Sequence, residues 1–404
     1  MRDAPEVNVE GGGEAGASAG GVKDGVSFEV EGNRLTPLIA GSVRLEALIA
    51  LIDGARHSLR LLYYIYCDDE SGRRVRAAMD AALLRGVDVR LIVDGFGSSV
   101  PAHFFDELTR DGADVCRFLP RFGRRYLLRN HQKLALADEE RVIIGGFNIQ
   151  DDYFEDRTGW RDLGLLVEGP AAKRLVGYFD ALAEWTHQPK ARMRDLRAAL
   201  GKWSEHKKRH VRWLLGGPTR KLSPWARTVK QEIQRARRLD IISAYFAPHP
   251  LMMRRIERVA ERGGVSRVIT PSKADHRVAI AAARHLFRRM LKRGVRVFEY
   301  QPQKLHTKLY VIDDVVHIGS ANFDMRSLFL NLELMLRIED PAFAAHMRHY
   351  FEGEMADSRA ITPDLLGKAS LLDRLRWSIG YFVMAVLDVS VTRRLNFGGE
   401  KQEF

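Results

Sequence analysis

The chain has 404 residues, an apolar share of 46% and two cysteines, Cys67 and Cys116, which stand far apart in no ligand spacing. That allows two domains of ordinary size, excludes a disulfide scaffold or a cysteine-held zinc site, and fits a reducing compartment. The net charge of +12 is spread along the sequence and favours an anionic partner: nucleic acid, phosphate ester or acidic membrane surface.

No run reaches the about 20 apolar residues of a spanning helix, and the start lacks the layout of a secretory signal. The chain is therefore expected in the cytosol, with any membrane contact peripheral. Residues 1–25, rich in Gly, Ala, Glu and Ser, are expected to form a disordered tail. A first unit, residues 26–202, opens with the helical stripe Leu45, Leu48, Ile49, Ile52. A buried strand from Leu61 to Tyr66 follows, then a helix from Gly72 to Leu84, a strand from Val87 to Val93 and a helix near 101–112. Residues 203–210, highly charged, read as a linker. The second unit, residues 211–360, repeats the order: a helix marked by Trp225, Val229 and Ile233, a strand from Asp240 to Phe246, helix 250–262, strand 266–270, helix 276–293 and strand 295–300. Strands alternating with helices imply an α/β fold with mixed sheets.

Each unit then says the same phrase. His131, Lys133 and Asp138 read H-x-K-x-x-x-x-D, and so do His306, Lys308 and Asp313. A glycine-rich step and an asparagine follow each: Gly145, Gly146 and Asn148 in the first, Gly319, Ser320 and Asn322 in the second. Each phrase predicts a β-hairpin. Histidine and lysine share one strand face, Leu134 and Leu136 or Leu309 and Val311 face the core, and the aspartate turns the chain. The small residues of the returning strand would let a backbone N–H approach a phosphate oxygen.

One histidine attacks phosphorus when neutral; a second, protonated, serves the leaving alcohol. If the halves meet about a pseudo-twofold axis, one pocket holds both histidines, with Lys133, Lys308, Asn148, Ser320 and Asn322 as donors to the phosphate oxygens. No metal-ligand signature is present and the chemistry requires no cofactor. A carboxylate beside each imidazole would fix its tautomer and raise its pKa. Asp162 and Glu333, similarly placed downstream of the two histidines, are the candidates. Asp138 and Asp313 lie too far along the hairpin to act as acids and are expected at its turn.

The paired motifs with Gly145–Asn148 and Gly319–Asn322 resemble the phospholipase D superfamily and, within it, bacterial cardiolipin synthases. Local phrases carry the likeness further: Tyr63-Tyr64-Ile65, Arg85 to Arg90 before Asp94, Tyr245-Phe246-Ala247-Pro248, Arg293 to Val297 with Glu299-Tyr300, and Arg326-Ser327 before Asn331 and Glu333. The likeness spans roughly residues 40–360. It implies two similar α/β halves related by a pseudo-twofold axis with one active site at their interface. It also implies a catalytic set of His131, Lys133, Asp138, His306, Lys308 and Asp313, with His131 as nucleophile and His306 as acid and base. The implied reaction moves a phosphatidyl group from one phosphatidylglycerol to a second through a phosphatidyl-histidine, releasing glycerol. The implied partner is anionic phospholipid at the cytoplasmic face of the cell membrane, not nucleic acid. Other phospholipase D chemistries, namely hydrolysis, a different acceptor or nuclease action, share the same residues. The chain lacks the N-terminal pair of membrane helices of the commonest cardiolipin synthases and resembles the shorter branch.

Two basic segments stay open. Arg121, Arg124, Arg125 and Arg129 read either as a solvated loop or as a rim facing anionic lipid. In residues 361–404, the apolar run Ile379–Leu387, flanked by Arg374, Arg376, Arg393 and Arg394, reads either as a helix packed on the core or as an interfacial helix on the membrane.

Overall fold

The computed structural model describes residues 24–118, 128–188, 191–205, 209–219 and 222–387. Arg121, Arg124, Arg125, most of the expected tail, part of the expected linker, Arg393 and Arg394 lie outside them. In the first half the strands are β1 (Phe28–Val30), β2 (Asn33–Leu38), β3 (Ser58–Tyr63), β4 (Asp88–Asp94), β5 (Asp114–Phe118), β6 (Leu134–Ala137), β7 (Arg141–Gly145), β8 (Trp160–Arg161) and β9 (Gly164–Glu168). In the second they are β10 (Val211–Gly216), β11 (Arg238–Ser243), β12 (Phe246–Ala247), β13 (Val265–Pro271), β14 (Arg296–Tyr300), β15 (Lys304–Leu305), β16 (Lys308–Ile312), β17 (Val315–Gly319), β18 (Phe323–Asp324), β19 (Glu333–Glu339) and β20 (Ser358–Ala360).

Two eight-stranded mixed sheets result, ordered β1-β2-β9-β7-β6-β3-β4-β5 and β10-β19-β17-β16-β11-β13-β14-β20. The stretch β9-β7-β6-β3-β4-β5 has its counterpart in β19-β17-β16-β11-β13-β14, with the same parallel and antiparallel pairings, so the duplication seen in the motifs extends to six of the eight strands of each sheet. The central strands β3, β6, β7, β11, β16 and β17 are buried on both faces, as expected of sheets covered on each side. Alternation sorts them. Leu134 and Leu136 join Leu309 and Val311 in one core that fills the space between the two sheets, while Ala135, Ala137, Tyr310 and Ile312 point to outer cores beneath helices. The halves are therefore welded by a shared apolar core, to which the helices Val176–His187 and Pro341–Ala356 also contribute.

The first residue of the expected linker belongs to a helix, and β10 begins directly after its last. Trp203 closes the helix Met193–Trp203 and packs against Gly177, where even a Cβ would collide with its ring. Trp213, just past the linker, lies in β10 and in the shared core, its indole N–H donating to the Ala171 carbonyl at 2.8 Å. The charge pattern of this stretch masks two aromatic anchors.

The motif aspartates hold the hairpins. Asp138 and Asp313 adopt left-handed backbone (φ 53° and 50°), a conformation aspartate tolerates better than most residues. The Asp138 carboxylate accepts the backbone N–H groups of Arg56, His57 and Ser58 at 2.7–3.2 Å, and Asp313 accepts those of Arg237 and Arg238. Partial burial works against ionisation, but these three donors hold the Asp138 carboxyl below the ordinary carboxylate range. Both therefore tie the hairpin tip to the entry of β3 or β11, at the end of the hairpin away from the histidine, and neither touches the catalytic pocket. Asp138→Ala and Asp313→Ala are expected to cost about 1–2 kcal/mol each in stability, as loss of a capping carboxylate does, and to leave turnover within a few-fold of the parent. Thermal unfolding and steady-state kinetics on the same preparations check this.

Candidate active site

His131 precedes β6 and His306 precedes β16, so the two hairpins deliver their histidines from opposite sheets. Backbone pairing across the halves brings them together. His131 N–H donates to the Leu332 carbonyl at 2.9 Å, and His306 N–H donates to the Arg161 carbonyl at 2.7 Å. Leu332 and Arg161 are the residues immediately before Glu333 and Asp162, so each pairing carries a carboxylate of one half to the imidazole of the other. Glu333 Oε2 lies 3.1 Å from His131 Nδ1, and Asp162 Oδ2 lies 2.7 Å from His306 Nδ1. Order along the chain hides this exchange, because each acid follows the histidine of its own half. Both acids are fully buried, as unpaired carboxylates would not be.

The glycine-rich steps serve the acids. A Cβ on Gly146 would stand 2.5 Å from Asp162 Oδ1. At the equivalent place Ser320 donates its hydroxyl to Glu333 Oε2 at 2.5 Å and accepts the Leu334 N–H at 3.0 Å. Ser320 thus commits its one hydroxyl hydrogen to the Glu333 carboxylate, where the sequence expectation had it donate to a phosphate oxygen. The backbone N–H groups are committed too: Ser320 N–H donates to the Leu334 carbonyl and Gly146 N–H to that of Leu163. Small residues at this step admit the neighbouring strand and its acid rather than a phosphate oxygen.

Lys133 and Lys308 are buried, and each ammonium donates to the carbonyl of its own histidine. Lys308 Nζ also lies 2.7 Å from His306 Nδ1. One nitrogen cannot both donate to Asp162 and accept from Lys308; the carboxylate charge favours the tautomer with Nδ1–H on Asp162. Burial, reinforced by Lys308, lowers the His306 pKa to about 4 despite Asp162. Burial and Lys133 likewise hold His131 below its ordinary value against the pull of Glu333. This reverses the expected upward shift: desolvation and the lysine outweigh the carboxylate. The lysines are themselves lowered by burial, to about 7 for Lys133 and about 8 for Lys308. Burial alone would raise the Asp162 carboxyl, yet Lys308 and His306 keep it below the usual range. The protein's own groups therefore favour neutral imidazoles.

Both histidines line one cavity of about 560 Å³, of a size that holds a small ligand. Asn148 and Asn322 line it as well. The Asn148 amide accepts the Ile65 N–H at 3.0 Å and donates to the Tyr153 hydroxyl at 2.9 Å, leaving one donor hydrogen. The Asn322 side-chain oxygen has no hydrogen-bond partner among the described residues. Tyr64 stands beside His131 with ring centroids 5.0 Å apart; Tyr153 and Trp160 stand beside His306 at 5.2 and 5.1 Å. Arg129 and Arg326 add positive charge at the cavity wall, Arg129 stacked 3.5 Å over the Phe96 ring. Of the basic rim considered from sequence, Arg129 is thus placed at the cavity. Tyr153, Trp160 and Asp275, also in the wall, carried no periodic or motif signal, and Tyr245 stood only in a phrase of the family resemblance.

Residues 48–183 and 229–355 match the family model described as cardiolipin synthase, PLD-like domain. The chain is similar to cardiolipin synthase A of Pseudomonas entomophila, 30% identical over 367 residues covering 88% of this chain and 75% of the relative. It is similar also to cardiolipin synthase of Listeria monocytogenes, 28% identical over 381 residues covering 91% of this chain and 78% of the relative. Among solved structures, a phosphatidylserine synthase from Haemophilus influenzae aligns with a TM-score of 0.70 at 14% identity, across 91% of this chain and 96% of that one. A polyphosphate kinase from Porphyromonas gingivalis aligns at 0.57 and 16% identity, across 82% and 49%. At such identities these two likenesses are of fold alone.

Proposed function

The chain belongs to the phospholipase D-like family of cardiolipin synthases and is an enzyme of phosphatidyl transfer; on that footing we propose that it joins two phosphatidylglycerols into cardiolipin through a phosphatidyl-histidine. The observation that carries the reading is that two imidazoles, each hydrogen-bonded at Nδ1 to an acid of the opposite half, line one cavity. With Nδ1 engaged, Nε2 is the reactive nitrogen on each ring.

In the first step the His131 Nε2 lone pair forms a bond to phosphorus as the bond to the glycerol oxygen breaks. His306 Nε2–H gives its proton to that oxygen and glycerol leaves. In the second step His306, now neutral, takes the proton of a hydroxyl on the second phosphatidylglycerol. The resulting oxygen attacks phosphorus and frees His131. The entering phosphodiester is an anion, and its charge opposes the burial that keeps His306 neutral, so His306 takes up a proton from solvent as the substrate binds. Lys133, Lys308, Asn148 and Asn322 supply donors around the developing charge. The roles of His131 and His306 follow the family resemblance.

The reaction is proposed at a membrane surface. Among the described residues no helix is long and apolar enough to cross a membrane. The helix Leu371–Phe382 packs one side on the helix Arg277–Lys292, with Gly380 against Ala281, and turns Leu372, Leu375, Ile379 and Phe382 outward. That combines the two readings left open from sequence: one face meets the core, the other forms an exposed apolar stripe suited to an interface. Met384, two residues further, lines the catalytic cavity. Purified protein given phosphatidylglycerol vesicles is expected to release glycerol and cardiolipin in equal amounts, with or without a chelator. Phosphatidic acid as sole product would make water the acceptor and contradict the transferase reading.

A further inference from the structure

A second groove lies between the helix Arg277–Lys292, the short helix Pro363–Gly367 and the helix Leu371–Phe382. It encloses about 490 Å³ and shares no lining residue with the catalytic cavity. Its floor is apolar, made by Leu291, Leu366 and Trp377, and Arg288, Lys292 and Arg374 stand along its edge. The surrounding ion pairs single out these three. Arg284 is held by Glu299 at 2.6 Å, Arg289 by Glu257 at 2.5 Å and Arg293 by Glu261 at 2.7 Å. Among the described residues Arg288, Lys292 and Arg374 make no ion pair. Of the nearby carboxylates, Asp373 is engaged by the Ser370 hydroxyl and N–H, and neither it nor Asp364 lines the groove. Three unneutralised cations beside an apolar trough match an amphiphile carrying one phosphate and a hydrocarbon chain, and match neither a free phosphate nor an uncharged lipid.

We propose that this groove is a second binding site for a membrane anionic phospholipid, its phosphate between Arg288, Lys292 and Arg374 and an acyl chain over Leu291, Leu366 and Trp377. The groove opens beside the outward stripe of Leu372, Leu375, Ile379 and Phe382 on the same helix, so a lipid seated there keeps its remaining chain in the bilayer that the stripe meets. The choice of a lipid surface rests on the phosphatidyl-transfer reading; the match of groove to ligand does not. Because the helix that forms one wall leads to Met384 in the catalytic cavity, a lipid bound here anchors the enzyme with its active site towards the substrate.

The test uses the full chain and phosphatidylcholine vesicles doped with phosphatidic acid. This monoester has neither an alcohol to be displaced nor a headgroup hydroxyl to accept transfer, so the catalytic pocket cannot turn it over. The triple variant Arg288→Ala, Lys292→Ala, Arg374→Ala is expected to bind these vesicles at least about tenfold more weakly than the parent, with turnover of water-soluble dihexanoyl phosphatidylglycerol unchanged. A control triple of the same charge change, Arg34→Ala, Arg73→Ala, Arg192→Ala, is expected to lose less than about threefold. Equal losses in both triples, or parental binding by the first, would overturn the site. Trp377→Ala should weaken binding without altering charge; if it does not, the acyl-chain part of the proposal falls. A parent enzyme inactive on the soluble lipid would instead sink the transferase reading, and the vesicle arm would still report on the groove.

Discussion

His131→Ala is expected to abolish phosphatidyl transfer, by about five orders of magnitude or more, on every substrate. His306→Ala is expected to lose about a thousandfold on phosphatidylglycerol and much less on a phosphatidyl ester of p-nitrophenol. The difference follows from the bond each imidazole makes. A nucleophile is needed whatever departs, because the His131 Nε2–phosphorus bond has no substitute in the pocket. An acid is needed only when the leaving oxygen cannot depart as an anion. Glycerol cannot, nitrophenolate can. A stopped-flow burst of nitrophenolate from the His306 variant, absent from the His131 variant, assigns the roles. The reverse pattern would exchange them and leave the two-histidine chemistry standing; a burst from both variants would remove histidine from the mechanism.

The exchanged carboxylates carry the second large effect. Asp162→Asn keeps shape and removes the charge beside His306 Nδ1, and Glu333→Gln does the same for His131. Losses of between about a hundredfold and ten-thousandfold are expected, the range seen when an imidazole loses its orienting acid. The pairing has a signature that a purely structural role lacks. Burial and Lys308 already lower the His306 pKa to about 4, and Asp162 is the main group opposing them. Removing a negative charge weakens proton binding, so Asp162→Asn should move the basic limb of the kcat/KM profile to lower pH. On the nitrophenyl ester, Asp162→Asn added to His306→Ala should cost little more than His306→Ala alone, because the acid acts through that ring. Full additivity there would mean that Asp162 does not serve His306.

Much of this arrangement is legible in residue order, for identifiable reasons. The twin motifs combine chemistry with a strand period, so hairpins, core-facing Leu134, Leu136, Leu309 and Val311, and turning Asp138 and Asp313 all follow from spacing. The α/β repeat follows from apolar runs such as Leu61–Tyr66 and Val87–Val93 and their counterparts after Arg238. Three features do not follow. The crossing of Asp162 to His306 and Glu333 to His131 is set by backbone pairing between halves, which no local pattern encodes. The lowered histidine pKa values depend on how deeply the pocket is buried and on where Lys133 and Lys308 fold back. Ser320 looks like a phosphate donor from its motif, yet the longer Glu333 side chain takes its hydroxyl. The glycine at the matching place, Gly146, leaves room for Asp162 instead. The aromatic wall of Tyr153, Trp160 and Tyr245 comes from short, separate segments and is assembled only by the fold.

The most direct measurement is to mix enzyme with dihexanoyl phosphatidylglycerol, quench at alkaline pH within milliseconds, digest, and weigh the peptides. The expected result is a phosphatidyl mass on the peptide containing His131, acid-labile and lost when His131 is replaced. No covalent adduct on either histidine, under conditions where turnover is proceeding, would contradict transfer through a phosphohistidine.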